Sequence, residues 1–200
     1  VLFVSAQAYL PAEDNSTPPA NMPEQKQIIP AVTGVEMLVN GNTETMGTAT
    51  TAVIENKTVT TISLDDKMVE KILQNHGDNA LFVLSVKNAA DVIVSRSNAQ
   101  TIRNMEAVGA VLEIRTENVT YTLPAAQIGI DNVLSQFGEE VELKDITVNI
   151  KVSEPPDNVI KIIEETADKN NYQIVVKPVE FEITCTSGDK TVSVSKFNGY

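Results

Sequence analysis

An α+β fold, mostly antiparallel sheets with three or four short helices, is predicted by three features of this sequence. Its strand-like runs alternate apolar and polar residues, as in Ile146, Val148, Ile150 and Val152. Such alternation marks sheets with one buried and one wetted face, whereas parallel strands covered on both faces read as continuous apolar runs. Between these runs lie stretches with apolar residues at helical spacing, each closed by a glycine: Gly77, Gly109 and Gly138. Turn signals such as Asn40-Gly41 connect neighbouring runs at hairpin distance.

Residues 1–33 read as an extended N-terminal segment and Pro-rich linker, and 34–200 as the folded module. Val1-Leu2-Phe3-Val4, followed by Ala6-Gln7-Ala8, fits two readings: the tail of a signal peptide with a small-x-small cleavage site, or a strand belonging to a preceding domain. Pro11, Pro18, Pro19, Pro23 and Pro30 block helix and interior sheet. They predict a linker, or a strap on the domain surface, without regular secondary structure over 11–30. In the module, Val35, Met37 and Val39 alternate into the Asn40-Gly41 turn, and 48–64 reads as two strands turning at Glu55-Asn56-Lys57. Asp65 and Asp66 offer N-caps for a helix with Met68, Val69, Ile72 and Leu73 on its apolar stripe. Strands are expected over 80–86 and 91–95, then a helix over 98–108 burying Ile102, Met105 and Val108. Two strand segments within 111–123 turn at Glu117-Asn118, a helix covers 131–137, and Ile146 to Val152 alternates as a strand.

Pro155-Pro156-Asp157 opens the clearest helix, with Val159, Ile162, Ile163 and Ala167 on one side. A hairpin follows: one strand over 173–186, a turn at Ser187-Gly188-Asp189, and a second strand over 191–197. Val179, Phe181, Ile183 and Cys185 share a face with Val192 and Val194. Phe197 is out of step by one residue, which predicts a β-bulge near Ser195-Lys196 or a ring turned away to pack on a following domain. The strand–helix–Gly–strand pattern of 59–86 recurs over 119–152, and internal duplication and simple recurrence of a common unit both account for it.

Composition narrows the chemistry. With 42% hydrophobic residues in 200, the chain can bury a full core. Its net charge of -12 excludes a general nucleic-acid binder and argues against docking on anionic lipid. No apolar run is long enough to span a bilayer. Cys185 is the only cysteine, so no intrachain disulfide forms, and its place on an alternating strand predicts a buried apolar thiol. His76 is the only histidine, and it precedes Gly77, where it fits helix C-capping. Any Ser-His-Asp or Cys-His mechanism has to use it, and with Cys185 it lacks further ligands for zinc.

The carboxylate pairs Asp65/Asp66, Glu139/Glu140 and Glu164/Glu165 fit a cap, a loop and a solvated helix face better than glycoside hydrolysis. Gly77-Asp78-Asn79 and Asp131-Asn132 are fragments of calcium loops only. The sequons at Asn15, Asn56 and Asn118 carry no weight in a chain so rich in Asn and Thr. The expectation is therefore no enzyme, no catalytic, cofactor or metal residues, and no cofactor.

Several segments resemble a module of Gram-positive surface proteins that carry S-layer homology domains. They are Val39-Asn40-Gly41, Gly47-Thr48-Ala49-Thr50-Thr51, Asn104-Met105-Glu106, Thr120-Tyr121-Thr122-Leu123-Pro124-Ala125, Pro178 to Thr184 and Gly188 to Tyr200. The resemblance implies an extracellular, cell-surface setting in a secreted cell-wall- or S-layer-associated protein. It also implies a β-rich stretch beyond the Phe197-Asn198-Gly199-Tyr200 segment and anchoring repeats elsewhere in the polypeptide. It supplies no site residues.

The function expected is a non-catalytic structural, spacer or assembly module. Its partners would be neighbouring domains of the same surface protein and cell-wall or S-layer components, with no nucleic acid and no membrane insertion. The alternative is an extracellular glycan- or calcium-binding adhesion module, and a third reading is a glycan-active enzyme using two carboxylates. A concave site with convergent polar groups would favour the latter two.

Overall fold

The computed structural model describes residues 31–86, 90–116, 119–138 and 140–195. The linker assignment over 11–30, both readings of residues 1–8, the Glu117-Asn118 turn, Glu139 and Phe197 lie outside them.

Among the described residues, ten strands form one sheet. In chain order they are β1 (Ala31–Val39), β2 (Asn42–Ile54), β3 (Lys57–Leu64), β4 (Leu81–Ser85), β5 (Val92–Asn98), β6 (Val111–Arg115), β7 (Thr120–Pro124), β8 (Thr147–Ser153), β9 (Glu180–Ser187) and β10 (Lys190–Ser193). Four α-helices of the described residues intervene: α1 (Asp66–His76), α2 (Ala99–Ala107), α3 (Ile130–Phe137) and α4 (Asp157–Lys169). The strand order is β10-β9-β8-β5-β3-β2-β1-β4-β6-β7. Only β3 with β5 and β4 with β6 pair in parallel. The mostly antiparallel α+β expectation therefore holds, but in a single sheet rather than several. Among the described residues the first strand, β1, opens at Ala31.

Local chemistry explains most boundaries. Asn40 and Gly41 both take positive φ, 47° and 89°, the backbone a two-residue hairpin requires. Glu55 and Asn56, at φ 49° and 62°, do the same between β2 and β3. Asp65 caps α1 by accepting from the N–H groups of Lys67 and Met68, and Asn98 caps α2 by accepting from Thr101. The helix read over 98–108 thus starts one residue later, and Val108 is its half-buried C-cap. Gly47 is needed for a different reason: a Cβ there would sit 2.2 Å from the Ser63 carbonyl oxygen.

The topology is a set of nested arches. The pairings orient β3, β5 and β7 one way and β4, β6 and β8 the other. The connections β3–α1–β4, β5–α2–β6 and β7–α3–β8 therefore all pass over the same end of the sheet. They straddle, in turn, the β2–β1 hairpin, then also β3 and β4, then also β5 and β6. The segments compared as a duplication, 59–86 and 119–152, fall in the innermost and outermost arches. Between them lies a third unit of the same form, spanning β5 to β6, which the sequence comparison did not single out.

The sheet is rolled. Eight strand spacings separate β9 from β7 in the order, about 38 Å on a flat sheet at ~4.8 Å per strand. Yet the rings of Tyr121 on β7 and Phe181 on β9 stack with centroids 3.9 Å apart and planes inclined by 21°. Only curling that brings the two margins face to face allows this. At the arched end, Lys190 on β10 donates to the Gln136 carbonyl of α3 and lies 5.7 Å from the centroid of the Phe137 ring. Among the described residues no backbone ladder joins β7 to β9 or β10, so side chains close this seam.

One apolar core fills the roll, drawing Met37, Met46, Phe82, Leu84, Ile114 and Ile183 from strands and Val69, Ile102, Met105 and Val133 from the arch helices. Cys185 is fully buried among them, as predicted, and burial pushes its thiol up to about 11. The tyrosine hydroxyl at the seam is buried without a hydrogen-bond partner, and burial raises its pKa.

Candidate interaction surface

Adjacent antiparallel strands need only a tight turn of two to five residues between them. β8 and β9 are such neighbours, paired from Thr147↔Thr186 to Ser153↔Glu180. Between Ser153 and Glu180, however, the chain makes an excursion over 154–179 that contains α4. Pro156 precedes the helix with φ -57°, suited to a helix start, and Asn171, at φ 56°, follows its end. The stripe read from sequence is present but lacks cover. Of Val159, Ile162, Ile163 and Ala167, only Ala167 is buried, while Ile162 is 59% exposed. The apolar side of this helix therefore lies mostly in water rather than in the core.

The chain leaving α4 continues the same face. The strand predicted over 173–186 begins only at Glu180. Tyr172, Ile174, Val175 and Val176 lie in an irregular strap and are exposed, Val175 at 83%. β-branched residues favour strands only where neighbouring strands pack on them, and here none does. Among the described residues the remaining exposed large hydrophobics are Val53 and Ile54, beside the β2–β3 turn. The exposed apolar surface is thus concentrated on α4 and its strap, the pattern associated with interaction sites.

Helix and strap enclose a recess of about 480 Å³ lined by Ile160, Ile174, Val175, Val176 and Pro178, with Glu154, Glu164 and Lys177. Lys177 Nζ lies 3.3 Å from Glu154 Oε1, tying the strap to the residue after β8. This exposed pair contributes little energy, and its value is positional.

A second concavity, about 610 Å³, lies along β1 to β4. The register shift between Val35 and Glu36 interrupts β1 there, and Glu36, Thr43, Thr45, Thr60 and Ser85 contribute polar atoms beside Leu38, Ile62 and Val83. One carboxylate among hydroxyls suits hydrogen bonding to a neutral polar ligand better than metal coordination.

The residues singled out from sequence are dispersed. His76 is the last residue of α1, and Cys185 is sealed in the core. Asp65 is the α1 cap, and Asp66 accepts from Ser97 Oγ at 2.7 Å and Asn98 N at 3.2 Å, joining α1 to the β5–α2 junction. Glu140, Asp78 and Asp131 are exposed, and Asp131 forms an ion pair with Arg103 at 2.7 Å. Glu164 and Glu165 lie on exposed positions of α4, the former lining the recess. Asn56 sits exposed in the β2–β3 turn, while Asn15 and Asn118 fall outside the described residues. No group of three or more His, Cys, Asp or Glu side chains able to hold a metal occurs among the described residues, and none of the described helices is long and apolar enough to cross a membrane.

Sequence reasoning passed over Glu106. Burial lifts its carboxyl above the ordinary carboxylate value, outweighing the hydrogen bond it accepts from Ile130 N at 3.1 Å. It accepts from the first N–H of α3, a buried donor for which Gly129 offers no side-chain cap. Nothing in the sequence places Glu106 beside Ile130, 24 positions on.

Comparison with protein-family models, with curated proteins and with solved structures finds no match to this chain.

Proposed function

We propose that this chain is a non-catalytic assembly module of an extracellular, S-layer- or cell-wall-associated bacterial surface protein, and that it docks a neighbouring part of that protein on α4 and its strap. One observation carries this reading. A long excursion between two adjacent strands carries most of the exposed large apolar side chains among the described residues. An excursion that the sheet does not need, and that leaves apolar surface in water, has its use outside the sheet. The segments resembling the Gram-positive surface module support the compartment and the class of partner. The acidic surface favours solubility and self-repulsion between free copies.

The test uses a polypeptide that includes the proposed neighbouring part. Ile162→Asp with Val175→Asp should abolish cooperative unfolding of this module with its neighbour while leaving the module's own transition in place. Unchanged coupling would remove the docking assignment. Immunolabelling of intact cells tests the compartment, and a signal confined to permeabilised cells would exclude it.

A second reading, a glycan-binding module, is favoured by the hydroxyl-lined groove along β1 to β4. A glycan array decides it: binding tighter than roughly 100 µM, lost on Thr45→Val with Thr60→Val, would replace the first reading (about 5 kcal/mol of affinity).

A further inference from the structure

We infer that the outward face of β5, β8 and β9 binds a carboxylate-bearing sugar. Arg96 and Lys151 hold the carboxylate, and the side chains of Thr147, Asn149, Thr184 and Thr186 hold sugar hydroxyls. The site shares no lining residue with the recess at α4 or with the concavity along β1 to β4, so it does not depend on either being occupied.

The register builds the site. Ile93, Ser95, Val148, Ile150, Ile183 and Cys185 are buried, so their alternating neighbours on the same strands point outward. Arg96 pairs with Asn149, and Asn149 with Thr184, in one cross-strand row. Val94, Lys151 and Glu182 form the row on one side, and Thr147 with Thr186 lies on the other. Arg96 and Lys151 are therefore diagonal neighbours on adjacent strands, roughly 7–8 Å apart. With Val94 as an apolar floor, these side chains line a groove of about 440 Å³.

Charge marks the groove out. The chain has 27 acidic against 15 basic residues, and its other two arginines are paired, Arg103 with Asp131 and Arg115 with Glu113. Arg96 is exposed and has no acidic partner among the described residues. The side chains of Thr147, Asn149, Thr184 and Thr186 likewise make no hydrogen bond among the described residues. Lys151 Nζ lies 3.1 Å from Glu182 Oε2, which steadies the ammonium beside the groove. Two cations against this one carboxylate leave the site positive by one, in a molecule of net charge -12.

The same features select the ligand. An excess of one positive charge matches a carboxylate better than a phosphate monoester, which carries about -1.5 to -2. The guanidinium fork of Arg96 donates two parallel N–H bonds to a carboxylate. Around it, threonine hydroxyls and the Asn149 amide both donate and accept, as sugar hydroxyls require. The overall charge of -12 repels a dense polyanion, so the fit is a sugar chain with isolated carboxylates. All of these groups sit on paired strands, so binding orders no loop.

NMR titration of the 200-residue chain tests the site with three probes: a trisaccharide of two glucoses and one glucuronate, its all-glucose counterpart, and inorganic phosphate. The glucuronate trisaccharide should bind with a Kd of roughly 1 mM or tighter. It should shift the amides of 94–96 and 147–151, and its affinity should fall as salt screens the charges. The all-glucose trisaccharide and phosphate should each bind at least about tenfold more weakly, and Arg96→Gln should weaken the glucuronate ligand by a similar factor. Arg96→Gln should melt with the native protein, because the side chain it replaces is exposed. Thr45→Val, in the concavity along β1 to β4, and Ile162→Asp, on α4, should leave the affinity unchanged.

Absence of a saturable shift with the glucuronate trisaccharide, or equal binding of its all-glucose counterpart, overturns the inference. Phosphate binding as tight as the glucuronate ligand would make the face a general oxyanion site and overturn the sugar assignment. Affinity unchanged in Arg96→Gln, or shifts centred on 36–45, would place the ligand elsewhere and overturn the site. Because Ile162→Asp tests the docking face in the same titration, the docking reading and this one fail independently.

Discussion

α2 and α4 carry equally legible apolar stripes and meet opposite fates. Ile102 and Met105 on α2 are 3% and 2% exposed, whereas Ile162 on α4 is 59% exposed. The difference lies in what each helix connects. α2 joins strands separated by four others, so it must cross the arched end of the roll, where α1 and the first 3-10 turn meet it. α4 joins two strands that already touch, so nothing draws it over the core. Amphipathicity is a property of a segment, but burial is a property of the connection the segment makes.

Substitutions should separate the two regions. The largest loss is expected at Phe82, fully buried in the roll: Phe82→Ala should cost about 3–5 kcal/mol in denaturant unfolding. Gly47→Ala comes next, since its Cβ meets backbone that cannot rotate aside, and about 1–3 kcal/mol is expected from strain of this kind. A Phe181→Ala loss of that larger size would require a fully buried ring. The ring is half-buried at the seam, so the loss should fall below that of Phe82→Ala. A double-mutant cycle with Tyr121 should give a coupling of about 0.5–1.5 kcal/mol for the stacked pair, and zero coupling would mean that the seam is not closed by these rings.

Glu106 gives a smaller, pH-dependent effect. Its folded pKa is raised, so its favourable contribution is complete below the ordinary carboxylate value of 4.5 and is lost as pH rises through the folded pKa. Glu106→Gln keeps an acceptor for Ile130 N without the charge. It should therefore gain on the native protein as pH rises above the ordinary carboxylate value of 4.5, while Glu106→Ala, which removes the acceptor, should lose about 1 kcal/mol. A pH-independent difference between Gln and Glu would show that burial does not control this carboxyl. The smallest effect is expected at Ile162→Asp, within about 1 kcal/mol of native stability, because the side chain leaves water little on folding.

Much of the roll was legible. Asn40-Gly41, Glu55-Asn56, Asp65 and Gly77 act locally, through backbone conformation and capping, so the sequence announces them directly. The alternation of Val148, Ile150 and Val152 fixed which face is buried. The nesting of the arches was not legible, because strand order depends on contacts far apart in sequence. Nor was the contact of Tyr121 with Phe181, since nothing local tells a sheet to roll. The interaction surface was half-legible: the stripe on α4 can be read from the spacing of Val159, Ile162, Ile163 and Ala167, but pattern alone does not tell whether the core or a partner covers it.

Native-state hydrogen exchange in the 200-residue chain tests the central claim, that the rolled sheet is a complete unit and α4 stands outside it. Amides of α2 and β8 should exchange only through global unfolding, and those of α4 through local opening at least 100-fold faster. Equal protection of α2 and α4 would contradict the account, because it would make α4 part of the same cooperative core and its apolar stripe no longer a surface held for a partner.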